Sequence, residues 1–225
     1  MILKPVAFIF DFDGVIADSI SLHLQAWEFA YTEIFAAPLS KATQASVIGM
    51  STKEISELLC SQAGQPQRHI ELANLKRHHL NALRGKIDLL PGARDAIQLL
   101  GHTSVPFGIA SNAPVAFISR VLSDGGLKVA TIIGIENSGR PKPHPDAFLA
   151  CAAKLGIPFI QHCDIVVFED STHGLKAAKT AGMFPIGLQT QHPNAVLIAH
   201  GARLTCRNLE DALSNGWLHT IAYED

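Results

Sequence analysis

The chain has 225 residues, 48% of them hydrophobic and 17% charged, with a formal net charge of -2. That composition describes a globular protein long enough for one sizeable core and a smaller appended unit. The charge is near neutral and the densest basic run is only Lys76-Arg77-His78-His79, so the expected partners include neither nucleic acid nor a membrane surface.

The run Val6 to Phe10 reads as a buried strand, closed by Asp11, Phe12, Asp13 and Gly14. Ser21 to Phe35 carries Leu22, Leu24, Trp27, Phe29, Ala30 and Ile34, which predicts a helix with a broad apolar face, ended before Pro38. Ser51 to Cys60 predicts a second helix, because Glu54 follows Ser51 in capping-box spacing. Glu71 to Leu83 predicts a third, with Gly85 ending the helical run before Pro91-Gly92.

From there the pattern alternates. Strands are predicted at Val105 to Ala110, Ala130 to Ile133, Ile165 to Phe168 and Phe184 to Leu188. Helices are predicted at Pro114 to Leu122, Pro145 to Leu155 and His173 to Ala181, and residues after His200 are read as finishing the sheet and adding a helix at Leu209 to Leu213. Near-continuous apolar strands alternating with helices indicate a parallel sheet covered on both faces. The predicted fold is therefore α/β: a doubly wound, mostly parallel, Rossmann-like sheet with an inserted α-helical cap. The core is assigned to residues 1-18 and 88-225, and the cap to residues 19-87.

Alternate residues of a strand face the same way, so Asp11 and Asp13 lie near one another where the first strand ends. In open parallel sheets ligands bind at the carboxyl ends of the strands. Other strand ends are also polar: Ser111-Asn112 follows Val105 to Ala110, Lys142 follows Ile133, and Glu169-Asp170 follows Ile165 to Phe168. Each alone could be a solvated turn. Together, on strands otherwise apolar, they predict one shared site.

The cysteines, Cys60, Cys151, Cys163 and Cys206, show no C-x-x-C spacing and are read as small buried or half-buried thiols. The eleven histidines contain no H-E-x-x-H or H-x-H and suggest no zinc site. No apolar stretch approaches the roughly 18 residues of a membrane helix. The first apolar run leads into Asp11 and not into a small-residue cleavage site, so the expected location is the cytoplasm.

The stretches "DFDGVIADS", "ASN", "KPHPD" and "VFEDSTHGLKAAKTAG" resemble the four ordered motifs of the haloacid dehalogenase superfamily. The helical insertion after the first motif, with "LLPGARDAIQLL", resembles the branch containing β-phosphoglucomutase and small sugar-phosphate phosphatases. Close like charges cost on the order of 4 kcal/mol at 4 Å with an effective dielectric of 20. Clustered carboxylates facing a phosphate monoester therefore call for a hard divalent cation, and Mg²⁺ fits oxygen ligands.

The resemblance implies a metal set of Asp11, the Asp13 backbone carbonyl and Asp170, with Glu169 as a further ligand or just behind them. It implies that Asp11 is the nucleophile, forming an aspartyl-phosphate, and that Asp13 shuttles the proton. Ser111 and neighbouring N–H groups would hold the phosphoryl oxygens, with Asn112 beside them, Lys142 would neutralise their charge, and Gly14 would permit the close turn. Asp13 also argues against dehalogenation, because the dehalogenases lack an acid at that position.

The expected function is Mg²⁺-dependent hydrolysis of a small phosphorylated metabolite, a sugar phosphate for preference, by a monomer. A mutase of the β-phosphoglucomutase type is the alternative. His23 in "LHLQAW" and Lys76 in "LANLK" match mutase cap residues; the alternative for His23 is a helix-surface histidine, and some sugar phosphatases carry one there too, while a solvated lysine explains Lys76 equally. Thr52, with Lys53 next, stands after Gly49-Met50-Ser51 where the mutase has an arginine, and an ammonium does not replace a guanidinium fork. The residues after Ser111 are largely apolar (Ala113, Pro114, Val115), so a grip on a second phosphate looks weakened. A non-catalytic phospho-aspartate receiver or binding scaffold is a further alternative, but neither needs all of Asp11, Asp13, Ser111, Lys142 and Asp170.

Overall fold

The computed structural model describes residues 2–47, 50–82, 87–219 and 221–222. The expected helix end at Leu83, the stop at Gly85 and the Gly49 of the cap segment lie outside the described residues. The chain divides into two compact units, Met1–Asp18 with Ile87–Asp225, and Ser19–Lys86.

The strands among the described residues are β1 (Ile2–Leu3), β2 (Ala7–Phe10), β3 (Phe107–Ala110), β4 (Ile132–Ile133), β5 (Ile165–Glu169), β6 (Phe184–Leu188), β7 (Leu204–Cys206) and β8 (Ile221–Ala222). Six of them form one sheet of order β4-β3-β2-β5-β6-β7, parallel at every pair. The remaining two, β1 and β8, pair antiparallel in a separate ribbon that the sequence pattern did not announce.

Alternation along the central strands explains why they read as unbroken apolar runs. Phe8 and Phe10 of β2 and Phe168 of β5 lie on one face, with Phe10 and Phe168 stacked at 5.2 Å between ring centroids. Ala7, Ile9, Ile165 and Val167 lie on the other. Helices cover both faces. Ala93–Gly101, Val115–Asp124 and Leu209–Ser214 pack on the first, and Asp146–Lys154 and Thr172–Thr180 on the second. This is the doubly wound arrangement. The chain steps from β2 to β3 and β4 on one side, and later to β5, β6 and β7 on the other, which puts the switch point and its crevice beside β2.

The unit Ser19–Lys86 is helical, with Ile20–Phe35, Lys41–Ser46, Thr52–Gln62 and His69–Ala82 around Trp27, Ala30, Leu39, Ile55, Leu59 and Leu72. Ser51 caps its helix reciprocally with Glu54, as the spacing predicted. One residue departs from expectation. Phe29 is 46% exposed, because in a 3.6-residue period it falls off the face that Trp27, Ala30 and Ile34 share. Among the described residues no helix is long and apolar enough to cross a membrane. The four cysteines are free thiols, buried at Cys60, Cys151 and Cys206 and exposed at Cys163.

Candidate active site

Asp11 is the first residue beyond β2. Its N–H donates to the Phe168 carbonyl (2.9 Å), which extends the β2–β5 ladder by one bond and holds Asp11 against Glu169-Asp170. Phe12 turns inward, wholly buried, with its ring edge-on to Phe117 at 6.0 Å. The Phe12 carbonyl accepts from the N–H groups of Ile16 (2.9 Å) and Ala17 (3.0 Å), and Gly14, at φ 80°, donates its N–H to Ala17 (2.9 Å). A side chain at Gly14 would strain that positive φ. The buried phenylalanine between the acids is thus the anchor of a tightly wound loop, with Asp11 and Asp13 on either side of it.

Lys142 arrives from a loop between β4 and β5 and is 2% exposed. Its Nζ donates to Asp11 Oδ1 (2.5 Å) and Glu169 Oε1 (2.7 Å), and lies over the Phe148 ring at 4.5 Å from the centroid. The backbone is held too, because the Lys142 N–H donates to Asn112 Oδ1 (3.0 Å). Asn112 therefore tethers the lysine loop, a job that its place in "ASN" did not disclose. Ser111 is buried at the end of β3, and its Oγ accepts from the Ala113 N–H (3.0 Å), which leaves the hydroxyl proton for another acceptor.

Glu169 is fully engaged. Its Oε1 takes Lys142, while Oε2 accepts from the N–H groups of Asp170 (2.9 Å) and Ser171 (2.8 Å) and from Ser171 Oγ (3.0 Å). Ser171 also caps the helix Thr172–Thr180 by accepting from the Gly174 N–H (3.0 Å). Asp170 Oδ2 accepts from Gln191 Nε2 (2.5 Å) and lies 3.2 Å from Thr190 Oγ1, whose hydroxyl is 2.8 Å from the Gly14 carbonyl. Thr190 and Gln191 were missed by the sequence reading. The signal was there, since they follow the apolar strand β6 at the same carboxyl edge as the other polar strand ends.

The electrostatics follow from burial. Desolvation pushes the Asp11 carboxyl up to about 7, opposed by Lys142 and reinforced by Glu169 and Asp13. Burial likewise raises Asp170 well above the usual carboxylate range, with Glu169 and Asp11 adding to it. For Lys142 burial acts downward, but Asp11 and Glu169 more than reverse it and hold the ammonium above its ordinary value. Asp11, Glu169 and Asp170 each offer a carboxylate oxygen within 4.8 Å of the others. Three carboxylates against one ammonium leave a formal charge of about -2, and oxygen donors of that charge fit a hard dication.

The structure brings Asp11, Lys142, Glu169 and Asp170 together, with Ser111 and Asn112 at the neighbouring strand end and Asp13 and Gly14 in the loop after β2. His23 and Lys76 form a second group, within the helical unit. Burial, with Lys76 beside it, holds the His23 pKa well below the ordinary value. An ammonium only donates, so the neutral ring accepts from Lys76 Nζ on Nδ1 (3.3 Å). Lys76 is 4% exposed and sits 5.5 Å from the centroid of the Trp27 ring, so it is not the solvated helix lysine that the sequence equally allowed. Lys53 is solvated: its side chain is 78% exposed and faces Glu57 at 3.9 Å.

Comparison with known proteins agrees with this geometry. Residues 8–188 match the haloacid dehalogenase-like hydrolase profile. The chain is 30% identical to β-phosphoglucomutase of Bacillus subtilis (strain 168), over 91% of this chain and 90% of that one. It is 28% identical to hexitol phosphatase B of Escherichia coli (strain K12), over 79% and 81%. Among solved structures, a hydrolase from Pseudomonas syringae superposes with a TM-score of 0.82 at 25% identity, covering 92% of this chain and 96% of that one. The sheet order, the buried lysine between the two carboxylates and these matches give one answer: the chain belongs to the haloacid dehalogenase-like hydrolases.

Proposed function

We propose that this protein is a Mg²⁺-dependent phosphatase that hydrolyses a small phosphorylated metabolite, a sugar phosphate for preference, through an aspartyl-phosphate. The observation that carries the reading is the buried Lys142 ammonium bonded to both Asp11 and Glu169, with Asp170 alongside. Asp11 Oδ attacks phosphorus and the ester oxygen leaves with a proton from Asp13; Asp13 then takes a proton from the water that frees phosphate, a role typically worth about 10²- to 10⁴-fold. The Ser111 hydroxyl donates to a phosphoryl oxygen, and Lys142 offsets charge developing there. Mg²⁺, held by Asp11, Asp170 and the Asp13 carbonyl, would neutralise the acids against the incoming phosphoryl group. Glu169, with both oxygens already occupied, orients Lys142.

A phosphatase is favoured over a mutase by the exposed Lys53–Glu57 pair and the buried Ala113 after Ser111, neither of which suits a second phosphate. The mutase remains the second reading because of the His23–Lys76 pair and the match to a β-phosphoglucomutase. The test is p-nitrophenyl phosphate hydrolysis with Mg²⁺ and with EDTA, then a panel of phosphorylated metabolites read by phosphate release. Turnover should require Mg²⁺. With β-glucose 1-phosphate and a trace of the 1,6-bisphosphate, free phosphate is expected; glucose 6-phosphate as the main product would favour the mutase.

A second expectation concerns the helix behind the site. A Cβ at Gly174 would collide with the Glu169 carboxylate, which is pinned by Lys142 and by the Asp170 and Ser171 N–H groups and so has nowhere to swing. Gly174→Ala should cost about 1–3 kcal/mol by overpacking. By displacing Lys142 it should also lower kcat, by on the order of 10²-fold. Thermal melts and kcat check both, and a variant of unchanged kcat would detach Glu169 from the chemistry.

A further inference from the structure

Gln191 presents an unequal pair of amide atoms. Its Nε2 donates to Asp170 Oδ2, whereas its Oε1 is buried without a hydrogen-bond partner among the described residues. Opposite an ionised Asp170 the amide cannot simply turn over, because Oε1 would then face a carboxylate oxygen, acceptor against acceptor. Thr190 does not supply the missing donor. Its one hydroxyl proton lies between the Gly14 carbonyl at 2.8 Å and Asp170 Oδ2 at 3.2 Å. A buried acceptor of this kind calls for a donor that the described residues do not provide.

We propose that Gln191 is a positioning residue for the cation, fixing Asp170 through Nε2 and accepting through Oε1 a hydrogen bond from a water that the cation carries. This rests on the Mg²⁺-dependent reading above. Three features support it. Asp170 belongs to the carboxylate cluster that fits a dication, and Gln191 touches the oxygen of Asp170 directly. Both amide atoms are bonded to one carbon, so Oε1 stays close to the same carboxylate. Mg²⁺ keeps several of its waters when bound by few carboxylates, and a water whose lone pair is on the metal can only donate. Thr190 closes the arrangement from the other side, tying the loop of Asp11 and Asp13 to Asp170 through the Gly14 carbonyl.

The test uses the full-length protein with Gln191→Met, which keeps volume and removes both amide groups, and Gln191→Leu as a second variant. Mg²⁺ affinity is measured by calorimetry and Mn²⁺ affinity by the loss of its free paramagnetic signal. Metal-free melting and the KM for p-nitrophenyl phosphate at saturating Mg²⁺ are measured alongside. Cation affinity should weaken about 10-fold or more, the usual size for groups that orient ligands. Metal-free melting should change little, since removing the unsatisfied acceptor offsets the lost Nε2 bond to Asp170, and KM should hold. Unchanged cation affinity in both variants would overturn the inference while leaving the phosphatase reading intact. A raised KM with unchanged cation affinity would also overturn it, because the amide would then serve the substrate. A wild-type protein that binds no Mg²⁺ would end both.

Discussion

Asp11→Asn is expected to reduce turnover by on the order of 10⁴-fold or more, as loss of a nucleophile does elsewhere, while the protein stays folded. The amide has the shape of the carboxyl group but no anionic oxygen to attack phosphorus. Its effect on the fold should be small for a specific reason. The Asp11 carboxyl sits where burial pushes its pKa to about 7, so the charged form is held at a cost that a neutral amide avoids. Lys142 loses one anionic partner yet keeps Glu169 at 2.7 Å. Metal-free melting should therefore move by only a few degrees, whereas the stabilisation gained on adding Mg²⁺, which scales with the logarithm of ligand over Kd, should shrink with the lost ligand. Steady-state kinetics, acid-quench trapping of phosphoprotein and melting curves with and without Mg²⁺ separate these effects. Turnover within tenfold of the parent would assign the nucleophile elsewhere.

The sheet was legible because strands buried on both faces need apolar residues along their length, and β2, β5 and β6 show that run, closed by an acid in β2 and β5. The ends were less legible. The predicted strand at Ala130 to Ile133 shrinks to Ile132–Ile133, because only those residues pair in register with β3, at Ile109 and Ala110. The helix Ala93–Gly101 was passed over since it follows Gly92 at φ 80°, with no side-chain cap to announce it. Lys41–Ser46 buries none of its residues, so it carries no periodic apolar signal at all.

At the site, the residue types could be read, but their mutual bonds could not. The spacing of Asp11 and Asp13 puts them at one strand end, yet Lys142 meets Asp11 across 131 positions and Thr190 meets Gly14 across 176. Such contacts are properties of the sheet order, which no local pattern contains. Asn112 shows the consequence. Its place next to Ser111 suggests a phosphate contact and does not disclose that its Oδ1 accepts from the Lys142 backbone. Thr190 and Gln191 follow a strand as apolar as the others, and applying the strand-end argument once more, to β6, would have included them.

Lys142→Ala should cost both stability and turnover, and the two losses have one origin. The ammonium is 2% exposed, bonded to two carboxylates and covered by the Phe148 ring. Removing one partner of a buried ion pair strands the other charges, at about 3–5 kcal/mol. At roughly 2–4 °C per kcal/mol for a chain of this size, melting should fall by about 6–20 °C without metal. Turnover should fall by on the order of 10³-fold, the cost of removing a preorganised donor aimed at developing charge. Lys142→Arg should not rescue it. A guanidinium is larger and planar, and its fork cannot occupy the point between Asp11 Oδ1 and Glu169 Oε1 beneath Phe148 without moving one of them. Asn112→Ala tests the remaining possibility, that any loosening of this loop would do the same. It releases the Lys142 backbone tether but leaves the ammonium and both carboxylates, so its loss of turnover should be much the smaller. Equal losses in the two variants would mean that Lys142 matters for the loop and not for its charge.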